Sequence, residues 1–281
     1  MLKKIRSLTD QHAIPAAFII FVIYDLLLVG LGKLLSLLPK TLPVQYLCEI
    51  VLILIPIALV AFFGFSRAFK KGNFFRGLLC CLPFIAFQLI ALAVFFSENL
   101  GNPEASWKPW YLILYGVVSV VGIGIREECI YRATFQNIVA KKHANSVKGI
   151  WVAVIVASIL FGLSHVSNLL YSVEPLAVLA QVIRASFAGL LFGAVYMRSG
   201  SLWALILIHT LTDLAGLAGS TFLNNISDIE DINQMSFSWG AAIVCLAYAA
   251  LTAYLLRPSK CKQIYENFCF ADEEPEATTN T

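Results

Sequence analysis

The chain alternates long apolar blocks with short polar loops. A helix that crosses a bilayer takes about 20 mostly apolar residues. Eight blocks approach that length: residues 14–35, 44–65, 78–96, 110–140, 150–170, 176–197, 202–218 and 237–256. Only part of the fourth can span. The apolar residues run continuously instead of alternating. Of the two structures that satisfy every backbone group in lipid, this pattern selects helices over a barrel. The expectation is an all-α, polytopic transmembrane helical bundle of about eight spans.

Composition strengthens that expectation. The 281 residues are 59% hydrophobic and 13% charged, against about 45–50% and 25% in an ordinary soluble domain. No long polar stretch remains for a second domain. Residues 1–270 therefore read as a single transmembrane domain. The acidic, Pro-containing end, residues 271–281, reads as a disordered tail. A net charge of +3 is too mild to argue for nucleic acid; the partner that the composition implies is the lipid bilayer.

Loop charge suggests an orientation. Lys and Arg concentrate before span one (Lys3, Lys4, Arg6), between spans two and three (Arg67, Lys70, Lys71, Arg76), and after span four (Lys141, Lys142, Lys148). They also follow span six (Arg198) and span eight (Arg257, Lys260, Lys262). The other loops carry mainly Glu98, Glu104, Glu174, Asp228, Glu230 and Asp231, with Lys33 and Lys40 as the exception. The positive-inside rule then puts both termini in the cytoplasm of a multi-pass cell-membrane protein. The basic start before an apolar run also fits a cleavable signal peptide. The run is long and lacks an A-x-A site, so an uncleaved first span is preferred.

Candidate chemistry lies inside the spans. Arg126, Glu127, Glu128 and Arg132 put four ionisable groups into seven residues after an apolar run. Each charge at membrane depth costs roughly 2.5–3.5 kcal/mol on insertion scales, which marks the run as a functional candidate. Glu128 and Arg132 share a helix face, and Glu127 points about 100° away. The plain alternative is an ion pair at the cytoplasmic edge, with Arg126 and Arg132 snorkelling outward. His165 lies late in span five and His209 in span seven, four residues before Asp213. Imidazole and carboxylate at that spacing suit two ligands of one Zn²⁺, or a hydrogen-bonded pair that orients water. His12 and His143 lie in polar segments and read as solvated.

Asp25, Glu49, Gln88, Gln181 and Arg184 are scattered over other spans. Glu49 reads as interfacial; Asp25 and Arg184 read as a structural pair or as cavity lining. Gly189 and Gly193 read as close helix packing. Seven cysteines (Cys48, Cys80, Cys81, Cys129, Cys245, Cys261, Cys269) form no CxxC pair and read as small hydrophobes. Depth imposes one condition. With a fourth span ending at Arg132, the glutamates and His165 would lie near opposite faces, too far apart at ~1.5 Å per residue. Span four is therefore taken as 117–140, which puts the glutamates near mid-depth.

Three short motifs follow in order on separate spans: Glu127-Glu128-x-x-x-Arg132, Phe161-x-x-x-His165 and His209-x-x-x-Asp213. In these the chain resembles the CPBP family, the CAAX-protease and bacteriocin-processing group of intramembrane proteases, which includes prenyl endopeptidases of the Rce1 type. The resemblance covers roughly residues 117–219. It implies an eight-helix bundle and an intramembrane endopeptidase acting on a membrane-associated, lipidated or hydrophobic peptide or membrane-protein substrate. It implies Glu127 as water activator, supported by Glu128 and Arg132. His165 and His209 would be ligands or water-orienting groups, and Asp213 an oxyanion-side partner or ligand. Some relatives carry Asn at that last position. A metalloprotease would hold Zn²⁺ through Glu127, His165, His209 and Asp213; a metal-free glutamate mechanism is the other form. A proton-coupled transporter and a non-catalytic bacteriocin-immunity or scaffold protein are the rival classes.

Overall fold

A computed structural model describes residues 2–70, 72–235 and 237–267. Among the described residues the regular structure is helical, and the β pairing is one isolated bridge between Trp107 and Leu223. In chain order the helices are α1 (Leu2–Gln11), α2 (Ala13–Leu35), α3 (Leu42–Phe63), α4 (Phe74–Cys80), α5 (Leu82–Asn99), α6 (Trp110–Glu127) and α7 (Asn137–His143). They continue with α8 (Val147–Ser164), α9 (Pro175–Ser199), α10 (Leu202–Gly216), α11 (Ala218–Phe222), α12 (Asp228–Asn233), α13 (Trp239–Leu255) and α14 (Pro258–Asn267). A π-helix, Glu128–Gln136, joins α6 to α7 without a break. A 3₁₀ turn, His165–Tyr171, continues α8.

The apolar blocks become these helices, and local chemistry trims their ends. Asn73, Ser146, Ser201 and Ser238 cap α4, α8, α10 and α13, each accepting a backbone N–H from the first turn. Such a cap satisfies a donor that the helix itself leaves unpaired. Gly64 ends α3 in the left-handed conformation, at φ 77°, where a Cβ is penalised. The third block is shorter than its hydropathy suggests. It splits at Cys81 into α4 and α5, and Pro83 sits in the first turn of α5, where its missing N–H costs nothing.

Five helical stretches are long and apolar enough to cross a membrane: Ala13–Leu35, Leu42–Phe63, Leu82–Asn99, Val147–Tyr171 and Pro175–Ser199. Leu202–Gly216 and Trp239–Leu255 are shorter apolar helices. The outer faces are greasy: Ile23 and Leu26 on α2, Leu54 on α3 and Ile90 on α5 are all more than half exposed. Apolar surface of this extent suits lipid, not water. The molecule is a multi-pass helical membrane protein.

At the centre α8 packs along α9, and small residues allow the close approach. A Cβ on Gly162 would strike Ser186 Oγ and lie 2.7 Å from Val182 O. One on Gly189 would come within 3.1 Å of Phe161 and Ser158, and one on Gly193 within 2.9 Å of Gln136 Oε1. The close packing expected of Gly189 and Gly193 is thus present. On one side of the bundle α1 is clamped down. Arg6 Nε donates to Phe62 O at 2.7 Å, Lys141 Nζ meets Asp10 Oδ2 at 2.7 Å, and Lys142 Nζ donates to Gln11 O. The six described cysteines are free, four of them buried. Cys269 and the tail 271–281 lie outside the described residues.

Gly162→Val is expected to overpack the α8–α9 contact and to cost about 1–3 kcal/mol. Thermal unfolding in detergent should show a clear fall in Tm; an unchanged Tm would contradict the contact.

Candidate active site

Glu127 is the last residue of α6, and the π-helix begins at Glu128. π segments are rare and recur at functional sites. Every residue from Cys129 to Ala140 is buried, as are Glu128 and Arg132, both 0% exposed. Polar residues of the segment find local partners. Thr134 Oγ1 donates to Cys129 O, five residues back, at 3.0 Å. Gln136 Nε2 donates to Gly193 O at 2.9 Å, and Asn137 Nδ2 to Tyr196 Oη at 3.1 Å. These bonds tie the segment to α9. Nothing in the residue pattern announced a π-helix.

His209 on α10 is the hub. Its Nδ1 lies 2.7 Å from Glu128 Oε1. An ionised carboxylate only accepts, so Nδ1 carries the hydrogen. Its Nε2 faces Glu127 Oε2 at 3.3 Å and Asp213 Oδ2 at 3.4 Å. Arg132 Nε sits 3.3 Å from the other oxygen of Glu128, at ion-pair rather than hydrogen-bond geometry. Both members of that pair are fully buried, so neither arginine snorkelling nor an interfacial pair describes it. The guanidinium also lies 5.2 Å from the Phe161 ring and 5.9 Å from the Phe192 ring, within cation–π range. Both rings pack on His209 too, at 5.6 and 5.3 Å between centroids. The Phe of the Phe-x-x-x-His motif is therefore a shared wall. Gly124 lets α10 approach: a Cβ there would lie 2.8 Å from Thr210 Oγ1.

Glu127 differs from its neighbour. Its side chain is 27% exposed, against 0% for Glu128. It opens on a cavity of about 250 Å³ whose lining includes Tyr24, Asp25, Arg126, Tyr131 and His165. Glutamate and His165 thus reach one space, as the mid-depth register requires. His165 Nδ1 is 3.0 Å from Phe161 O; a carbonyl only accepts, so this nitrogen donates and Nε2 is left for a ligand. Ser164 Oγ lies 3.3 Å from the same Nδ1. His209, Asp213, Glu128 and Arg132 do not line the cavity. Glu128, Arg132 and His209 are enclosed behind Glu127, while the Asp213 side chain is 22% exposed.

Two outlying residues change their reading. Glu49 has partners: its Oε2 meets Arg126 NH1 at 3.2 Å, and Ser119 Oγ donates to its Oε1 at 2.6 Å. No motif spacing could have paired residues on α3 and α6, although opposite charges within spans were a hint. Asp25 lines the cavity, whereas Arg184 does not. Gln181 accepts from Asn168 Nδ2 at 2.7 Å.

Residues 109–215 match the family model described as type II CAAX prenyl endopeptidase Rce1-like. Over this segment the chain is similar to the CAAX-protease family. The segment contains all three motifs and covers well under half of the chain. Comparison with curated proteins and with solved structures gave no match. The matched segment supplies Glu127, Glu128, Arg132, His165, His209 and Asp213, while α2 and α3, which also face the cavity, lie outside it. Among the described residues no three His, Cys, Asp or Glu side chains form a group suited to a metal ion. Both histidines commit Nδ1, His209 to Glu128 and His165 to Phe161 O, and each keeps Nε2 facing outward from that bond.

Glu49→Leu is expected to strand Arg126 in a largely apolar setting, costing up to about 3–5 kcal/mol, with the double variant Glu49→Leu/Arg126→Leu recovering most of it. Thermal unfolding of the four proteins of this cycle tests the pair; additive losses would show that the two do not interact.

Proposed function

We propose that the chain is an intramembrane endopeptidase that hydrolyses a peptide bond with water activated by Glu127. One observation carries the reading: of the three carboxylates gathered around His209, only Glu127 opens on the cavity. The similarity of the 109–215 segment to the CAAX-protease family supplies the reaction class.

Each residue of the cluster then has a task. Glu127 takes a proton from a water in the cavity, and the water oxygen bonds to the scissile carbonyl carbon. The carbonyl electrons move to its oxygen. Collapse of that intermediate breaks the C–N bond, and Glu127 returns the proton to the leaving nitrogen. His209, carrying hydrogens on both nitrogens, donates from Nδ1 to Glu128 and faces Glu127 with Nε2, which holds Glu127 in place, and Arg132 pairs with Glu128. His165 presents Nε2 to the same space, where it orients the water. Arg126 and Tyr131 are donors in the cavity for the developing oxyanion. Asp213 meets His209 rather than the cavity, so in this scheme it steadies the imidazole.

The substrate enters from the bilayer, which favours an apolar or lipidated peptide segment of a membrane-associated protein. Nothing in the cavity calls for a prenyl group. Loop charge supports about eight crossings with both termini cytoplasmic in the cell membrane. Zn²⁺ held by Glu127, His165, His209 and Asp213 would supply a Lewis acid; no step above depends on it.

Glu127→Gln keeps the size of the side chain and removes the base. Peptide cleavage should fall by about 10²–10⁴-fold with Tm unchanged. Retained activity would shift the role to another group and favour a non-catalytic protein. Chelation with EDTA or phenanthroline is expected to leave the wild-type rate intact. Loss on chelation with recovery on added Zn²⁺ would sink the metal-free form.

A further inference from the structure

Asp25 has no part in the scheme above, yet it lies in the same cavity as Glu127 and His165. It sits twelve residues into α2, about 18 Å along the helix axis, near the middle of a hydrocarbon core roughly 30 Å thick. Its neighbours Ile23 and Leu26 are 60% and 67% exposed and face outward. Asp25 itself is half-buried on the cavity side. Among the described residues it makes no hydrogen bond or ion pair. A carboxylate at that depth is costly and calls for a partner.

The other groups of the cavity provide one only in part: His165 lies within electrostatic reach of Asp25 but forms no ion pair with it. Arg126 lines the cavity but is held by Glu49 at 3.2 Å, and Glu127 is a second carboxylate. His165 Nδ1 is committed to Phe161 O. With Arg126 balanced by Glu49, the carboxylates left facing the cavity are Asp25 and Glu127, and of these Glu127 also touches His209. A peptide's free C-terminal carboxylate placed there would meet like charge, whereas a cationic side chain would complete the set. At about 250 Å³ the space is small beside ordinary clefts of roughly 300–1,000 Å³, so it takes only a short stretch of chain around the scissile bond.

We infer that Asp25 is a specificity residue, selecting peptide segments that carry Lys or Arg beside the bond to be cut. This deepens the endopeptidase reading and rests on it for the word "cut". The recognition itself stands on the cavity alone, and Asp25 lies outside the segment that matches the family.

The probe is a library of Leu- and Ala-rich spanning peptides with randomised central positions, in phosphatidylcholine proteoliposomes. Capture on the full-length Glu127→Gln protein, read by mass spectrometry, should enrich Lys and Arg over Gln by about tenfold, the worth of one modest charge pair. Adding Asp25→Asn should remove the enrichment, and adding Asp25→Lys should turn it toward Asp and Glu. Capture without Lys or Arg enrichment overturns the inference, as does enrichment that survives Asp25→Asn. Cleavage of the same library by the wild-type protein is scored separately. Enrichment without cleavage overturns the endopeptidase reading and leaves the cation preference standing; cleavage without enrichment does the opposite.

Discussion

The arrangement depends on keeping a chain of charges in a place that has almost no water. Arg132, Glu128 and His209 are 0–3% exposed. Moving such groups from water into a protein interior costs several kcal/mol each, and their mutual attraction offsets this only when the geometry is good. Here the guanidinium faces a carboxylate and two aromatic rings, and the carboxylate's second oxygen holds an imidazole N–H. Removing any one member would leave the others buried and unmatched. The group therefore acts as a unit whose geometry is fixed before any substrate arrives.

That constraint explains the backbone around it. The π segment carries Glu128 and Arg132 into the centre, and its side chains bond across to α9 at Gly193 and Tyr196. Gly124 and Gly193 lie where α10 and α9 come nearest to this helix. In lipid, helices gain little from hiding apolar surface, and packing through small residues with interhelical hydrogen bonds takes its place. The same glycines that bring the helices together also bring His209 to the glutamates.

A difference in access separates the two adjacent glutamates. Glu128 faces inward and is consumed by His209 and Arg132. Glu127, one residue earlier, faces a cavity while touching the same imidazole. One position thus serves structure and the other remains open for chemistry. Asp25 on α2 and Glu49 on α3 lie outside the segment that matches the family, and Glu49 pairs with Arg126, which lies inside it.

The sequence by itself determined the class of the fold and the identity of the central groups. Continuous apolar blocks can only be helices in a bilayer, and charges placed inside them are too costly to be incidental. Three motifs in order were enough to assemble Glu127, Glu128, Arg132, His165, His209 and Asp213. The role of Glu49 was not legible, because residues on α3 and α6 become neighbours only when the helices pack. The π-helix was not legible either, since no residue pattern in Glu128–Gln136 marks it. Spacing alone placed both histidines equally well as ligands or as orienting groups. Only the tertiary structure decided that His209 stands behind Glu127 and His165 lines the cavity before it, because the facing of a side chain depends on which helix lies opposite.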